Sequence, residues 1–161
     1  MGYDSLLLKF TEASNGDDFL SFLEGITAES ISKESRHHVI EVLYDGPDLE
    51  RVAEHTGLPT DEIIRRHSEA DYRVRFLGFA PGFAYLDGLP AELNCPRLDS
   101  PRPRMQPGAV AIGGAHAGIY PSGTPGGWNW IGTTPTKLLK TDHCNQPFLL
   151  AAGDRVKFTP K

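Results

Sequence analysis

The sequence predicts a mainly β fold, a closed barrel or sandwich of short strands, with a helical pair near its start and an α+β segment ahead of it. Three observations carry that prediction. Gly (17) and Pro (13) are abundant in the 161 residues and concentrate after residue 78, where tight turns between short strands need them. Short apolar runs recur between those turns. Before residue 78 the composition is charged and helix-prone, so the character of the chain shifts along its length.

Tyr3 to Phe10, with Leu6-Leu7-Leu8 inside it, reads as a buried strand that Asn15-Gly16 breaks off. Asp17-Asp18 opens a helix through Ile26, with Phe19, Leu20, Phe22, Leu23 and Ile26 on its apolar face. One strand and one helix do not make a stable domain. Residues 1 to about 34 therefore read as the end of an α+β unit or an appendage on the next domain. His38 to Tyr44 reads as a strand, and Asp45-Gly46-Pro47 leads into a helix. Leu49, Val52 and Ala53 share one face of that helix, and Gly57 stops it. Thr60 is placed to cap a second helix, with Asp61 and Glu62 in its positive first turn and Ile63, Ile64 and His67 on its inner side. The remaining strand candidates are Arg73 to Phe79, Val110 to Ile112, Gly118 to Tyr120, Trp128 to Ile131, Lys137 to Leu139 and Arg155 to Phe158, the last one after a Gly153-Asp154 turn.

Several functions are disfavoured. A formal net charge of −5 argues against a nucleic-acid partner. The stretch from Leu49 to Ala70 imitates a helix-turn-helix that would set Asp61 to Arg66 in the major groove, but that second helix starts with two acids, Asp61 and Glu62. No apolar run approaches the roughly 20 residues of a membrane helix, and no signal peptide is visible. Cys95 and Cys144 lack Cys-x-x-Cys spacing, which suggests a reduced, cytoplasmic setting. The six histidines, His37, His38, His55, His67, His116 and His143, show no metal-ligand spacing, so no metal is expected. Neither a Gly-x-Ser-x-Gly elbow nor a phosphate loop is present.

Three segments concentrate chemistry. Leu77 to Leu86 sets Gly78, Pro81 and Gly82 among Phe79, Phe83 and Tyr85, residue types that turn the backbone and wall a pocket. Arg97 to Gly108 carries Arg97, Arg102 and Arg104 between Pro101, Pro103 and Pro107, and guanidinium groups on a stiffened loop suit carboxylate or phosphate. Gly113 to Thr134 holds Tyr120, Thr124, Gly126, Gly127 and Trp128, whose backbone N–H groups and hydroxyls suggest an oxyanion or phosphate cradle. Barrel turns and core aromatics would account for the same residues without function.

The strings His67-Ser68, Tyr72-Arg73-Val74, Leu77-Gly78-Phe79-x-Pro81-Gly82-Phe83-x-Tyr85-Leu86, Pro101-Arg102, Pro107-Gly108, Gly118-Ile119-Tyr120-Pro121 and Pro125-Gly126-Gly127-Trp128 closely resemble the signature of one family. It is the family of the 5-oxoprolinase B subunit, also known as allophanate hydrolase subunit 1 or kinase inhibitor KipI, which shares its signature with the carboxyltransferase part of urea carboxylase. The resemblance covers residues 37 to 161 nearly continuously. It implies a cyclophilin-like β-barrel over residues 37–161, preceded by a remnant, residues 1–36, of a longer α+β N-terminal domain. It further implies a component that works with two others, a homologous C subunit plus an A subunit, opening 5-oxoproline to glutamate with ATP and holding no covalent cofactor. On that reading Arg102 and Arg104 bind an anion and His67 is the acid or base. Phe79, Pro81, Gly82, Phe83, Tyr120, Thr124, Gly126, Gly127 and Trp128 line the substrate pocket. Two alternatives share the signature: the carboxyltransferase module of a biotin-dependent urea carboxylase, and a regulatory inhibitor that binds a histidine kinase. Prolyl isomerisation would rest on fold analogy alone.

Overall fold

A computed structural model describes residues 35–140 and 146–161, all within one compact unit, Ser35–Lys161. The strand expected at Tyr3 to Phe10, the helix expected at Asp17 to Ile26, and His143 and Cys144 lie outside the described residues.

Strand β1, His37–Val42, alternates as a half-buried strand should, with Ile40 and Val42 inward and Val39 and Glu41 outward. Helix α1, Leu49–Thr56, buries Leu49 and Val52 and ends on Gly57 in the left-handed region at φ 70°, where the absence of a Cβ removes the steric penalty. Helix α2, Thr60–Glu69, buries Ile63, His67 and Ser68. The cap expected from Thr60 is not made: Pro59 holds the N-cap position and Thr60 is the first helical residue. The Asp61 carboxylate accepts the Glu62 N–H instead, at 2.9 Å.

Strands β2 (Tyr72–Leu77), β3 (Ala84–Asp87), β4 (Ala109–Gly113), β5 (His116–Ile119), β6 (Asn129–Thr133) and β7 (Arg155–Pro160) complete one sheet, with a short 3₁₀ turn at Ala91–Leu93. The strand order is β1-β7-β2-β3-β5-β4-β6. Only β1 and β7 run parallel; the other pairs are antiparallel. The two ends of the sheet meet where Leu43 and Thr133 exchange backbone hydrogen bonds of 2.9 and 2.7 Å. Gly46 and Asp48 N–H then donate to Ile131 and Trp130, which carries the chain along β6 into α1. The result is the expected mainly β, nearly closed barrel with a helical pair near its start.

Two strand assignments change. Lys137 to Leu139 forms only an isolated bridge, Leu139 opposite Phe148. Pro135 and Pro147 flank that bridge and cannot donate to a longer ladder. Ala84–Asp87, by contrast, sits in what reads as a glycine-proline loop and is a true strand between β2 and β5.

Alternation divides the side chains into two clusters. Ile40, Val42, Val74, Leu86, Val110, Ile112, Ile119, Val156 and Phe158 fill the barrel beneath α1 and α2. On the opposite face of β3-β5-β4, Phe83, Met105, Ala109, Ala111, Tyr120 and Trp128 make a second cluster. Strand β4 is consequently buried on both faces.

Candidate functional site

The second cluster is built by small residues that let large rings approach. A Cβ on Gly113 would come within 2.7–2.8 Å of the Trp128 indole, and one on Gly118 within 3.0 Å of Phe83. Trp128 meets Phe83 and Tyr85 edge to face, each at 5.5 Å between ring centroids. Phe83 meets Tyr120 in the same way at 5.0 Å. Trp128 is 4% exposed and Tyr120 2%, so these rings form a packed floor. Gly126 belongs to it, because its Cβ would strike the Tyr120 hydroxyl and Met105.

The arginine segment lies along this floor. Leu98 N–H donates to Gly127 at 2.7 Å, Arg102 and Gly126 exchange bonds of 2.9 and 3.0 Å, and Met105 N–H donates to Thr124 at 2.8 Å. Three segments distant in sequence therefore share one seam, since Phe79 also meets Phe83 and Tyr120 at 5.4 and 6.2 Å. Phe79 caps the seam from a turn held by Gly78 N–H to Phe83 O (3.1 Å) and Phe83 N–H to Ala80 O (3.0 Å). It is 61% exposed and sits at φ 68°, a conformation that costs an L-residue about 1–2 kcal/mol. Pro81 beside it is exposed, while Gly82 is buried against Leu139 and Phe148.

The three arginines are not equivalent. Arg102 is paired with Asp48, whose carboxylate is buried and also accepts the Trp130 N–H at 2.8 Å. That guanidinium ties the segment to β6 and to the start of α1. Arg104 is exposed and rests against Gly123 without an acidic partner among the described residues. Arg97 is exposed and lies over the Trp128 ring at 5.8 Å. Burial pushes the Tyr120 phenol above its ordinary value, with a hydrogen bond from the Trp128 N–H and the charge of Arg97 opposing. Tyr120 therefore stays protonated and adds no negative charge.

Two expected roles do not match their placement. His67 is completely buried on α2, with Nδ1 2.8 Å from the Tyr44 hydroxyl and its ring stacked on Phe158 at 4.6 Å. Burial pulls its pKa down to about 3, so it is a neutral packing group that presents no nitrogen to solvent. The expected N–H cradle is largely spent on the fold: Gly114 donates to Cys95, Gly126 to Arg102 and Thr124 to Ser122. These residues do not fit a triphosphate. Among the described residues, no group of three His, Cys, Asp or Glu side chains is placed to hold a metal ion, and no helix is long and apolar enough to cross a membrane.

Residues 1–150 match the family model for the carboxyltransferase domain, subdomain C and D. The chain belongs to this carboxyltransferase-domain family. It is 44% identical over 137 residues to the 5-oxoprolinase B subunit of Escherichia coli O157:H7, an alignment covering 83% of this chain and 62% of that protein. It is 49% identical over 113 residues to the 5-oxoprolinase B subunit of Bacillus subtilis (strain 168), covering 70% and 47%. The chain thus spans about half to three fifths of the length of these relatives. A conserved Pyrococcus horikoshii protein of known structure superposes with TM-score 0.74 at 42% identity, over 78% of this chain and 59% of that one. The Kluyveromyces lactis urea amidolyase superposes with TM-score 0.69 at 19% identity, over 79% and 10%, and shows the fold alone.

Within this member of the carboxyltransferase-domain family, sequence reading missed Asp48 altogether. Its place after Gly46-Pro47 signals a helix start, and nothing local signals a carboxylate that reaches Arg102, 54 positions away. Arg97 carried the same signal as Arg102 and Arg104, and its place over the Trp128 ring, 5.8 Å from the centroid, shows only in the structure.

Proposed function

We propose that the chain is one component of an ATP-dependent hydrolase complex of the 5-oxoprolinase type, acting on an amide C–N bond together with a homologous C subunit and an A subunit, and inactive alone. One observation carries the reading: the 44% identity to a 5-oxoprolinase B subunit extends over 83% of this chain. The geometry supports it in kind. The exposed Phe79 ring, backed by the packed Phe83 and Tyr120, offers an apolar face, and the exposed Arg97 and Arg104 offer cations, a combination that suits a small ring carrying negative charge. His67 supplies no proton here, and the Gly114, Thr124 and Gly126 amides of the seam are committed. Phosphate handling and proton transfer in this reading therefore fall to partner subunits, while this chain orients the substrate.

Co-expression with the neighbouring subunits, followed by an assay for glutamate and ADP from 5-oxoproline and ATP, tests the proposal. ATP- and 5-oxoproline-dependent glutamate formation that requires this chain supports it. A complex that assembles but turns over only urea with a biotin carrier, or a chain that inhibits a histidine kinase stoichiometrically without turnover, would replace it with one of the two alternatives.

A further inference from the structure

We propose that Arg97, rather than Arg102, is the residue at this site that reads a carboxylate on the substrate. The inference rests on the hydrolase reading above and adds a specificity residue to it. Four observations carry it.

Arg102 is already neutralised by the buried Asp48, so a ligand carboxylate would have to displace an internal partner. Arg97 has no carboxylate partner among the described residues. Its guanidinium lies over an indole that Gly113 and the edges of Phe83 and Tyr85 hold in place. A guanidinium resting on a ring keeps its N–H donors in plane and free, and loses little rotamer freedom when it binds. Finally, the backbone of Arg97's segment is pinned next door, by Leu98 N–H to Gly127 O at 2.7 Å.

The same features choose between anions. A phosphate is held best by several converging backbone N–H groups, and those of Gly114, Thr124 and Gly126 are bonded elsewhere. A single planar fork matches a single planar carboxylate. Arg104 also lacks an acidic partner among the described residues, but it rests on Gly123 rather than over a ring. The ligand class is therefore a small, largely apolar lactam or amide bearing one carboxylate, with its acid group on Arg97, the exposed guanidinium of the seam.

The test uses Arg97→Gln and Arg97→Lys in the assembled complex, with 5-oxoproline and with 2-pyrrolidinone, the same lactam without the acid. Loss of one charge-assisted pair is expected to raise KM for 5-oxoproline by about 10- to 100-fold in Arg97→Gln, with kcat little changed. Arg97→Lys recovers part of that loss. The preference for 5-oxoproline over 2-pyrrolidinone falls by the same factor. An Arg97→Gln complex that hydrolyses 5-oxoproline with unchanged KM, or with a fall in kcat alone, overturns the inference and leaves the hydrolase reading standing. No 5-oxoproline turnover by the wild-type complex overturns the hydrolase reading. Fluorescence of the full chain then decides Arg97's role separately, because Trp128 lies beneath it. A change on adding 5-oxoproline but not 2-pyrrolidinone, lost in Arg97→Gln, upholds carboxylate recognition, and no such change overturns it.

Discussion

At the scale of single residues, partners decide what a side chain can do. Arg102 looks like an anion receptor in sequence and acts as an internal counter-ion in the fold. Arg102→Ala leaves the Asp48 carboxylate buried and uncompensated. Removing one partner of a buried pair costs about 3 kcal/mol or more, and partial exposure of Arg102 places the expected loss near the low end. Chemical denaturation measures it, and a variant as stable as wild type would show that the pair contributes nothing. His67 gives a second residue-scale prediction. Its folded-state pKa is about 3, whereas an unfolded chain takes up a proton near 6.5, in about the ordinary histidine range. Between those values the unfolded state binds a proton that the folded state refuses. Stability from this group is therefore complete above pH 6.5 and declines as pH falls, by up to about 1.4 kcal/mol per pH unit. His67→Gln can still bond the Tyr44 hydroxyl but cannot be protonated. The difference in stability between wild type and variant should shift steadily from pH 7 to pH 5, and a difference that stays flat would refute the buried, neutral assignment.

At the scale of elements, alternation and turn chemistry made much of the barrel legible. Ile40 and Val42, Val110 and Ile112, and Val156 and Phe158 all point inward as a period of two requires. What stayed hidden depended on neighbours far along the chain. Ala84–Asp87 reads as loop because Gly78, Pro81 and Gly82 dominate its local composition, and it becomes a strand only because β2 and β5 flank it. Lys137 to Leu139 has strand-like residues but finds one bridge partner. The aromatic seam was legible as composition and not as arrangement: which rings are floor and which are exposed depends on Gly113, Gly118 and Gly126 in other strands. Register also exposes a cost that no single strand shows. Arg73 on β2 faces Arg155 on β7. Like charges directly opposite each other in a sheet destabilise it by a few tenths to about 1 kcal/mol. Arg155→Thr keeps strand propensity and removes the repulsion, so the melting temperature should rise at low salt and the gain should shrink in 1 M salt, where screening is strong. A lower melting temperature at low salt would mean that Arg155 has a stabilising role its register does not reveal.

At the scale of the whole molecule, the barrel depends on one narrow closure. Strands β1 and β6 are held together by the reciprocal Leu43–Thr133 bonds and by the chain that crosses β6 after β1. Gly132 sits at that crossing, where an added Cβ would come within 2.7 Å of the Leu43 carbonyl oxygen and 2.8 Å of a Val42 methyl. The Leu43 carbonyl and the Tyr44 backbone cannot yield without moving the chain, and the Val42 side chain is branched and buried in the main core. A branched residue there must push β1 away from β6, losing two backbone hydrogen bonds and opening the main core beside Val42 and Ile131. Gly132→Val is therefore expected to cost about 3 kcal/mol or more, as overpacking and lost buried bonds combine. The damage should also be local in a way that hydrogen exchange can resolve. The Leu43 and Thr133 amides, and then the Gly46 and Asp48 amides that lean on β6, should lose protection first, while β3, β4 and β5 keep theirs. Asp48 links this closure to the arginine segment through Arg102 and Trp130, so a barrel prised open at Gly132 should also loosen the seam beneath Arg97. Retained protection at Leu43 and Thr133 in Gly132→Val, with wild-type stability, would show that the sheet closes by some other contact and that seam and closure are independent.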